Sequence, residues 1–177
     1  VSKVKRAGEL KHACELALRY DTKILIQKGV AAREIECAVL GDEEEAFASL
    51  PGEIVPSARH ELYSYQAKYL DPDGARLFIP ARLTRAQQEK VRALALAAFR
   101  ALSCEGMGRA DFLMDKKSGV IYFNEINTIP GFTSISMYPK LMASSGVPGP
   151  ELLDRLIALA IKRSKKRAGL SQEHPKK

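Results

Sequence analysis

Tryptophan is absent from the 177 residues, and cysteine and histidine number three each. Cys14, Cys37 and Cys104 are odd in number and far apart, with no Cys-x-x-Cys and no Cys/His cluster. That spacing argues against a zinc site and a disulfide framework. Each cysteine sits among apolar neighbours and reads as a small buried hydrophobe in a reducing, cytoplasmic compartment. His12, His60 and His174 read as solvated or locally bonded side chains. No apolar run approaches the roughly 18–20 residues that span a bilayer, and no signal segment opens the chain. A membrane role is therefore not expected. Repeats and low-complexity stretches are missing, and the twelve glycines are scattered rather than gathered into a phosphate-cradling loop.

What is present is ordinary for a globular chain: 46% hydrophobic and 28% charged residues, enough for one domain or two small subdomains. The net charge of +7 suggests nucleic acid until it is located. Residues 162–177 carry seven bases (Lys162, Arg163, Lys165, Lys166, Arg167, Lys176, Lys177) against Glu173, a net +6, which leaves +1 for residues 1–161. The basicity is a terminal appendage without aromatics. It reads as a solvated helix end and disordered tail, with an electrostatic arm as the alternative, so no nucleic-acid partner is expected.

Periodicity predicts a helix over 9–20, a short buried strand at 23–28 (KILIQK), and a strand at 34–40 with Ile35, Cys37 and Val39 on one face. Gly41 and the acids at 42–45 make a solvated turn or short helix. Short strands follow at 53–55 and 76–80, separated by an irregular segment that ends in the Asp-Pro-Asp-Gly turn at 71–74. Thr84-x-x-Gln87 matches a capping box. It opens a helix to about 103 with Val91, Leu94, Ala95, Ala98 and Leu102 as its stripe. Strands at 108–114 and 120–126 form a hairpin. Helices are expected at 139–145 and 150–165, the latter with Leu152, Leu153, Leu156, Ile157 and Ala160 inward. A hairpin rather than βαβ alternation argues for an α+β fold, an antiparallel sheet with flanking helices.

The hairpin carries the chemistry. Arg109 and Asp111 share a face of the first strand, Glu125 and Asn127 a face of the second, because side chains alternate. A turn centred near 118 gives antiparallel partners an index sum of 236, which sets Asp111 opposite Glu125 and Arg109 opposite Asn127. Facing carboxylates repel unless a proton or cation lies between them. With no His or Cys nearby the donors are all oxygen, a set that suits Mg²⁺ or Mn²⁺ bridging to phosphates. Arg109 adds a fixed positive charge for an anion or a developing oxyanion. The competing reading is a solvated face balanced by Arg and Lys. Immediately downstream, Asn127-Thr-Ile-Pro130-Gly131-Phe-Thr133-Ser134-Ile-Ser136-Met137 suggests a type II turn with Gly131 at positive φ. Its hydroxyls and free N–H groups suit a carboxylate, or make an ordinary capped loop.

These runs carry a resemblance. GRADFLMD and IYFNEINTIPGFTSISMYPKL are similar to the C-terminal part of D-alanine–D-alanine ligases, of the ATP-grasp superfamily. YSYQAKYLDPDG resembles that family's mobile ω-loop, ILIQKGVAAREIECAVLG its nucleotide-binding strands, and VSKVKRAGEL the stretch after its Gly/Ser-rich phosphate loop. The resemblance covers residues 1–161. It implies a remainder of the central subdomain at 1–40, a C-terminal subdomain at 41–165 with the ω-loop at 61–74, and a tail at 166–177. It further implies ATP and two Mg²⁺ (or Mn²⁺) ions, held by Asp111, Glu125 and Asn127. Arg109 and the Gly131 N–H would steady the acyl-phosphate and the tetrahedral oxyanion. Ser136 and the Met137 N–H would hold the second D-alanine's carboxylate. Lys68 would reach the γ-phosphate, Tyr69 would line the second substrate's pocket, Glu34 would take the ribose, and Lys28 and Val30 would meet the adenine. Gln27 stands where the family has Glu.

The family also uses an N-terminal substrate domain with a catalytic Glu, a phosphate-binding Lys and the Gly/Ser loop. This chain begins at Val1 without them, so the expectation is the second half of a ligase, inactive and prone to self-association alone, and a homodimer when intact. The implied reaction makes D-alanyl-D-alanine for the peptidoglycan of the cell wall. The alternatives are another ATP-grasp carboxylate–amine ligase or a non-catalytic Mg²⁺–nucleotide module.

Overall fold

The structure, a computed structural model, describes residues 1–56 and 75–170. The expected ω-loop with Lys68 and Tyr69, the turn at 71–74 and the last seven residues of the basic tail lie outside the described residues. The chain separates into two compact units, Val1–Ala31 and Ala32–Lys177. That division falls before the 40/41 boundary expected from sequence.

The first unit holds a short 3₁₀ turn at Ala7–Glu9 and helix α1, Leu10–Ala17. The Glu9 carboxylate accepts from the Lys5 backbone N–H at 2.9 Å, tying the entry to the turn. The strand expected at 23–28 is not formed: residues 23–31 have no regular secondary structure, and Leu25 and Ile26 are exposed. An apolar run becomes a strand only where a neighbour supplies hydrogen bonds, and among the described residues none pairs with it.

In the second unit, β1 (Ala32–Gly41), β2 (Ala46–Ala48), β3 (Gly52–Pro56), β4 (Ala75–Phe78), β5 (Gly106–Asp115) and β6 (Ile121–Asn127) form one antiparallel sheet. Its order is β4-β3-β1-β5-β6, with β2 beside β1. Strand β2 is too short for a period to show in the sequence. The turn that creates it is held by Asp42, whose carboxylate accepts from the Glu44 and Glu45 N–H groups at 3.0 and 2.8 Å.

Helices α2 (Arg85–Ala101), α3 (Met137–Ser144) and α4 (Gly149–Ala168) flank the sheet. The Thr84/Gln87 capping box forms at α2 as expected. Its buried face, Val91, Ala95 and Phe99, packs on Ile35, Cys37, Val39, Ala110, Phe112 and Met114. On the opposite face Ala38, Leu40 and Ile54 meet Met137, Tyr138, Leu141 and Met142 of α3 and Leu152 of α4. Leu156 and Leu159 complete the α4 stripe. Leu153 and Ile157, expected inward, are exposed, as is Ala160, so the apolar arc of α4 is wider than the arc it buries. Likewise Leu102 is exposed.

Alternation therefore gives β1 two covered faces. Odd residues enter the α2 layer, and even residues enter the layer shared with α3 and α4. Burial pushes the Cys37 thiol up to about 12, so it stays protonated and inert. Cys104 is buried too, whereas Cys14 is only half-buried. The Arg33 guanidinium forks onto the buried Glu53 carboxylate at 2.7 Å through both Nε and Nη2, locking β1 to β3.

Candidate metal and carboxylate site

Strands β5 and β6 pair Asp111 with Glu125 and Arg109 with Asn127, the register deduced from the index sum. Beyond Asp111 the ladder shifts, and Phe112 pairs with Phe123 rather than Asn124. This bulge has a chemical reason. Ile126 on one side of it, and Phe123 and Ile121 on the other, all turn toward the α2 layer, which strict alternation would forbid. The extra residue, Asn124, resets the phase, so Glu125 keeps the other face while the aromatic stays with the core.

On that other face the ladder continues into β1, where Glu36 is the register partner of Asp111. Glu36, Asp111 and Glu125 thus form a row across three strands, with Arg109 one step along. The Arg109 side chain is buried among them. Its Nε donates to Asp111 Oδ1 at 2.8 Å and its Nη2 to Asp111 Oδ2 at 2.8 Å, and Nε lies 3.0 Å from Glu36 Oε2. Burial by itself would lower the guanidinium's pKa; the Asp111 hydrogen bonds and the charges of Glu36, Asp111 and Glu125 outweigh it and hold the group above its ordinary value. Arg109 is thus a permanent cation. Glu36 was not singled out from the sequence, where it sits in a plain alternation; only the three-strand register shows its place.

Among the described residues, no three His, Cys, Asp or Glu side chains are gathered to hold a metal unaided. The donor set is two carboxylates and the Asn127 amide, whose Oδ1 also accepts from the Ile129 N–H at 3.0 Å. Such an oxygen set, with exposed Glu125 at its rim, fits a hard cation that keeps water and takes phosphate oxygens. Both Asp111 oxygens face Arg109, so a cation would share that carboxylate with the guanidinium.

The loop after β6 brings Gly131, Ser136 and Met137 together. Gly131 does not have the positive φ expected of it. It is required for another reason: a Cβ there would lie 2.8 Å from Ser136 Oγ. Ser136 is the N-cap of α3, yet its hydroxyl does not cap the helix. It accepts from the Thr133 N–H at 3.2 Å and shares a hydrogen bond with the Thr133 hydroxyl at 2.9 Å. The first N–H groups of α3, beginning with buried Met137, have no partner within the helix and carry its positive end. Tyr138 holds α3 to the sheet by donating to the Val39 carbonyl at 3.1 Å.

Glu34 lies on the same face of β1 as Glu36, half-buried. Lys28 and Val30 belong to the first unit. The hairpin residues are therefore brought together, as are the loop residues.

A model of the D-ala D-ala ligase C-terminus family matches residues 1–158. The chain is 58% identical over 172 residues to D-alanine--D-alanine ligase A of Bradyrhizobium diazoefficiens, covering 97% of this chain and 46% of that protein. It is 51% identical over 170 residues to the D-alanine--D-alanine ligase of Caldicellulosiruptor bescii, covering 96% and 46%. The solved D-alanine-D-alanine ligase from Coxiella burnetii superposes with a TM-score of 0.81 at 38% identity, over 94% of this chain and 42% of that one. VanG D-Ala:D-Ser ligase from Enterococcus faecalis gives 0.75 at 36% identity, over 87% and 43%. The chain spans about half the length of the curated relatives it matches.

Proposed function

Because this chain belongs to the D-alanine–D-alanine ligase family, whose C-terminal part it matches, we propose that it supplies the metal-and-acceptor half of an ATP-dependent ligase making D-alanyl-D-alanine. The observation that carries this reading is the Asp111/Glu125 pair facing across a bulged hairpin, with Arg109 and Asn127 on the same face.

In this reading ATP phosphorylates the carboxylate of the first D-alanine, giving an acyl-phosphate and ADP. The amine of the second D-alanine attacks the acyl carbon, and inorganic phosphate leaves. Asp111, Glu125 and Asn127 hold Mg²⁺, or Mn²⁺, which when bound offsets charge on the transferring phosphoryl group. Arg109, a buried and permanent cation, meets the developing negative charge without needing to reorganise. The Gly131 N–H adds a second donor. Ser136 and the Met137 N–H, at the positive end of α3, orient the second D-alanine by its carboxylate, so that its amine is aimed at the acyl carbon. Glu34 takes the ribose, Lys28 and Val30 the adenine, and Lys68 and Tyr69 close over the phosphate and the second substrate. The central subdomain at 1–40, the C-terminal subdomain at 41–165, the ω-loop at 61–74 and the tail at 166–177 are parts of the same proposal. So are a partner N-terminal half, a homodimer, a cytoplasmic location and a peptidoglycan precursor as product. Among the described residues, no helix is long and apolar enough to cross a membrane.

The test is D-alanine-dependent phosphate release by the full-length polypeptide carrying this chain. Glu125→Gln should abolish Mg²⁺-dependent turnover with the fold intact, because Glu125 is exposed and carries no core contact. Near-normal turnover at ordinary Mg²⁺ would remove the hairpin from the mechanism.

A further inference from the structure

The buried Glu36 has no part in the proposed chemistry, yet it forms the inner end of the charged row. We propose that Glu36 is a positioning residue: it holds Arg109 in place when Asp111 turns to a cation. This inference rests on the metal reading of the hairpin.

The argument begins with an excess of demand on Asp111. Both of its oxygens accept from Arg109, and the same carboxylate must present a lone pair to a divalent ion. The ion brings two positive charges next to a guanidinium that is already a permanent cation. Repulsion and competition act together, and each loosens Arg109 from Asp111. Without a second anchor the guanidinium would swing away from the anion it is there to meet.

Glu36 is that anchor. Its Oε2 lies 3.0 Å from Arg109 Nε, and its side chain is only 7% exposed. It stands on β1 directly beside Asp111, on the side away from Glu125. Strand β1 is flanked by β3 and β5, so Glu36 cannot follow the ion, and its contact with Arg109 is independent of metal. The charges agree. Glu36, Asp111 and Glu125 carry three negative charges and Arg109 one positive, a net −2 that one divalent ion neutralises. Removing Glu36 halves that attraction and leaves Arg109 with a single, contested partner.

The measurement is solvent exchange of the Arg109 Nε–H, followed by ¹⁵N-arginine NMR. The sample is the full-length protein, with and without Mg²⁺ plus a non-hydrolysable ATP analogue. In the native protein the proton should stay protected in both states. In Glu36→Gln it should be protected without metal and exchange about tenfold faster or more with it, the loss of one buried ion-pair partner. Turnover should fall in kcat with KM for D-alanine little changed, because Arg109 acts on developing charge. Equal protection in Glu36→Gln with and without metal would overturn the proposal. So would loss of protection on adding Mg²⁺ to the native protein, an outcome that needs no variant to fold. Glu125→Gln, titrated with Mg²⁺ and the analogue, tests the underlying reading separately: unchanged metal affinity there would refute the metal site whatever Glu36 does.

Discussion

Gly131→Ala puts the loop geometry under direct test. The new methyl would stand 2.8 Å from Ser136 Oγ and 3.4 Å from Ser136 Cβ. Ordinary contact begins near 3.4 Å, so the hydroxyl must give way by about 0.6 Å. It is not free to do so. The Ser136 Oγ is bound to the N–H and the hydroxyl of Thr133, and the Ser136 N–H donates to the Thr133 carbonyl at 2.9 Å. Rotating the hydroxyl away forfeits two of these bonds, each about 0.5–1.5 kcal/mol net. The loop is exposed and water replaces part of that loss, so destabilisation should be about 1 kcal/mol, a fall in Tm of roughly 2–4 °C. Activity should suffer far more, because misplacing an orienting group by about 1 Å costs about 100-fold. The loss should appear as a higher KM for the second D-alanine and a lower kcat/KM. Gly131→Ala/Ser136→Ala leaves only the 3.4 Å contact but forfeits the same two Thr133 bonds, so it should be about as destabilised as Gly131→Ala, and activity should stay low. Urea denaturation and phosphate release on both variants give the four numbers. A kcat/KM within twofold of native for Gly131→Ala would refute the reasoning, and so would a double variant as stable as the native protein.

Three further outcomes are expected. Arg33→Met leaves the buried Glu53 carboxylate without its fork and should cost about 3 kcal/mol, the low end for a buried pair because Arg33 is 27% exposed; a loss under 1 kcal/mol in urea would show that the pair contributes little. Asp115 accepts from the Ser118 N–H and hydroxyl at 2.7 and 2.8 Å, and these hydrogen bonds, with that of the Lys117 N–H, hold its carboxyl below the ordinary 3.8. A depressed folded value means the contribution is present above the ordinary value and fades as pH falls through the folded one. The advantage of the native chain over Asp115→Ala should therefore hold at pH 7 and vanish in acid, and a gap unchanged below pH 3 would contradict it. Finally, Tyr69 offers a hydroxyl for the network around an incoming amine where Phe would not. With D-alanine, D-serine and D-lactate all supplied, D-alanyl-D-alanine should dominate near neutral pH, and a dominant ester would reverse the substrate assignment.

Much of the β5–β6 hairpin was legible because pairing in an antiparallel ribbon is arithmetic. Two residues of like chemistry on each strand and one turn suffice to set Asp111 opposite Glu125. The capping box at Thr84 was legible for a similar reason, being a local exchange of hydrogen bonds. What failed was non-local. The run at 23–28 has the composition of a strand, but composition says nothing of whether a partner is there to bond it. In α4, Leu153 and Ile157 lie on an apolar arc whose covered width is decided by Leu40 and Met142 across the interface. Glu36 looked like half of an ordinary in-out alternation. Its outward side is covered by a second layer of helices, so the outward position is a buried one. Gly131 was recognised as necessary for the wrong reason, since a close approach by Ser136 leaves no trace in the loop's own sequence.

The bulge at Asp111/Phe112 makes the hairpin two mechanically separate pieces. Deleting Asn124 would leave Asp111 opposite Glu125 and Phe112 opposite Phe123 in an unbroken ladder, with every side chain on the face it now occupies. The joint is therefore a buffer for length: a natural or engineered chain one residue shorter at that point keeps both its aromatic core and its carboxylate row. The hairpin's tip is accordingly the place to attach a probe or graft a tag, because the phase of the site is set on the other side of the joint.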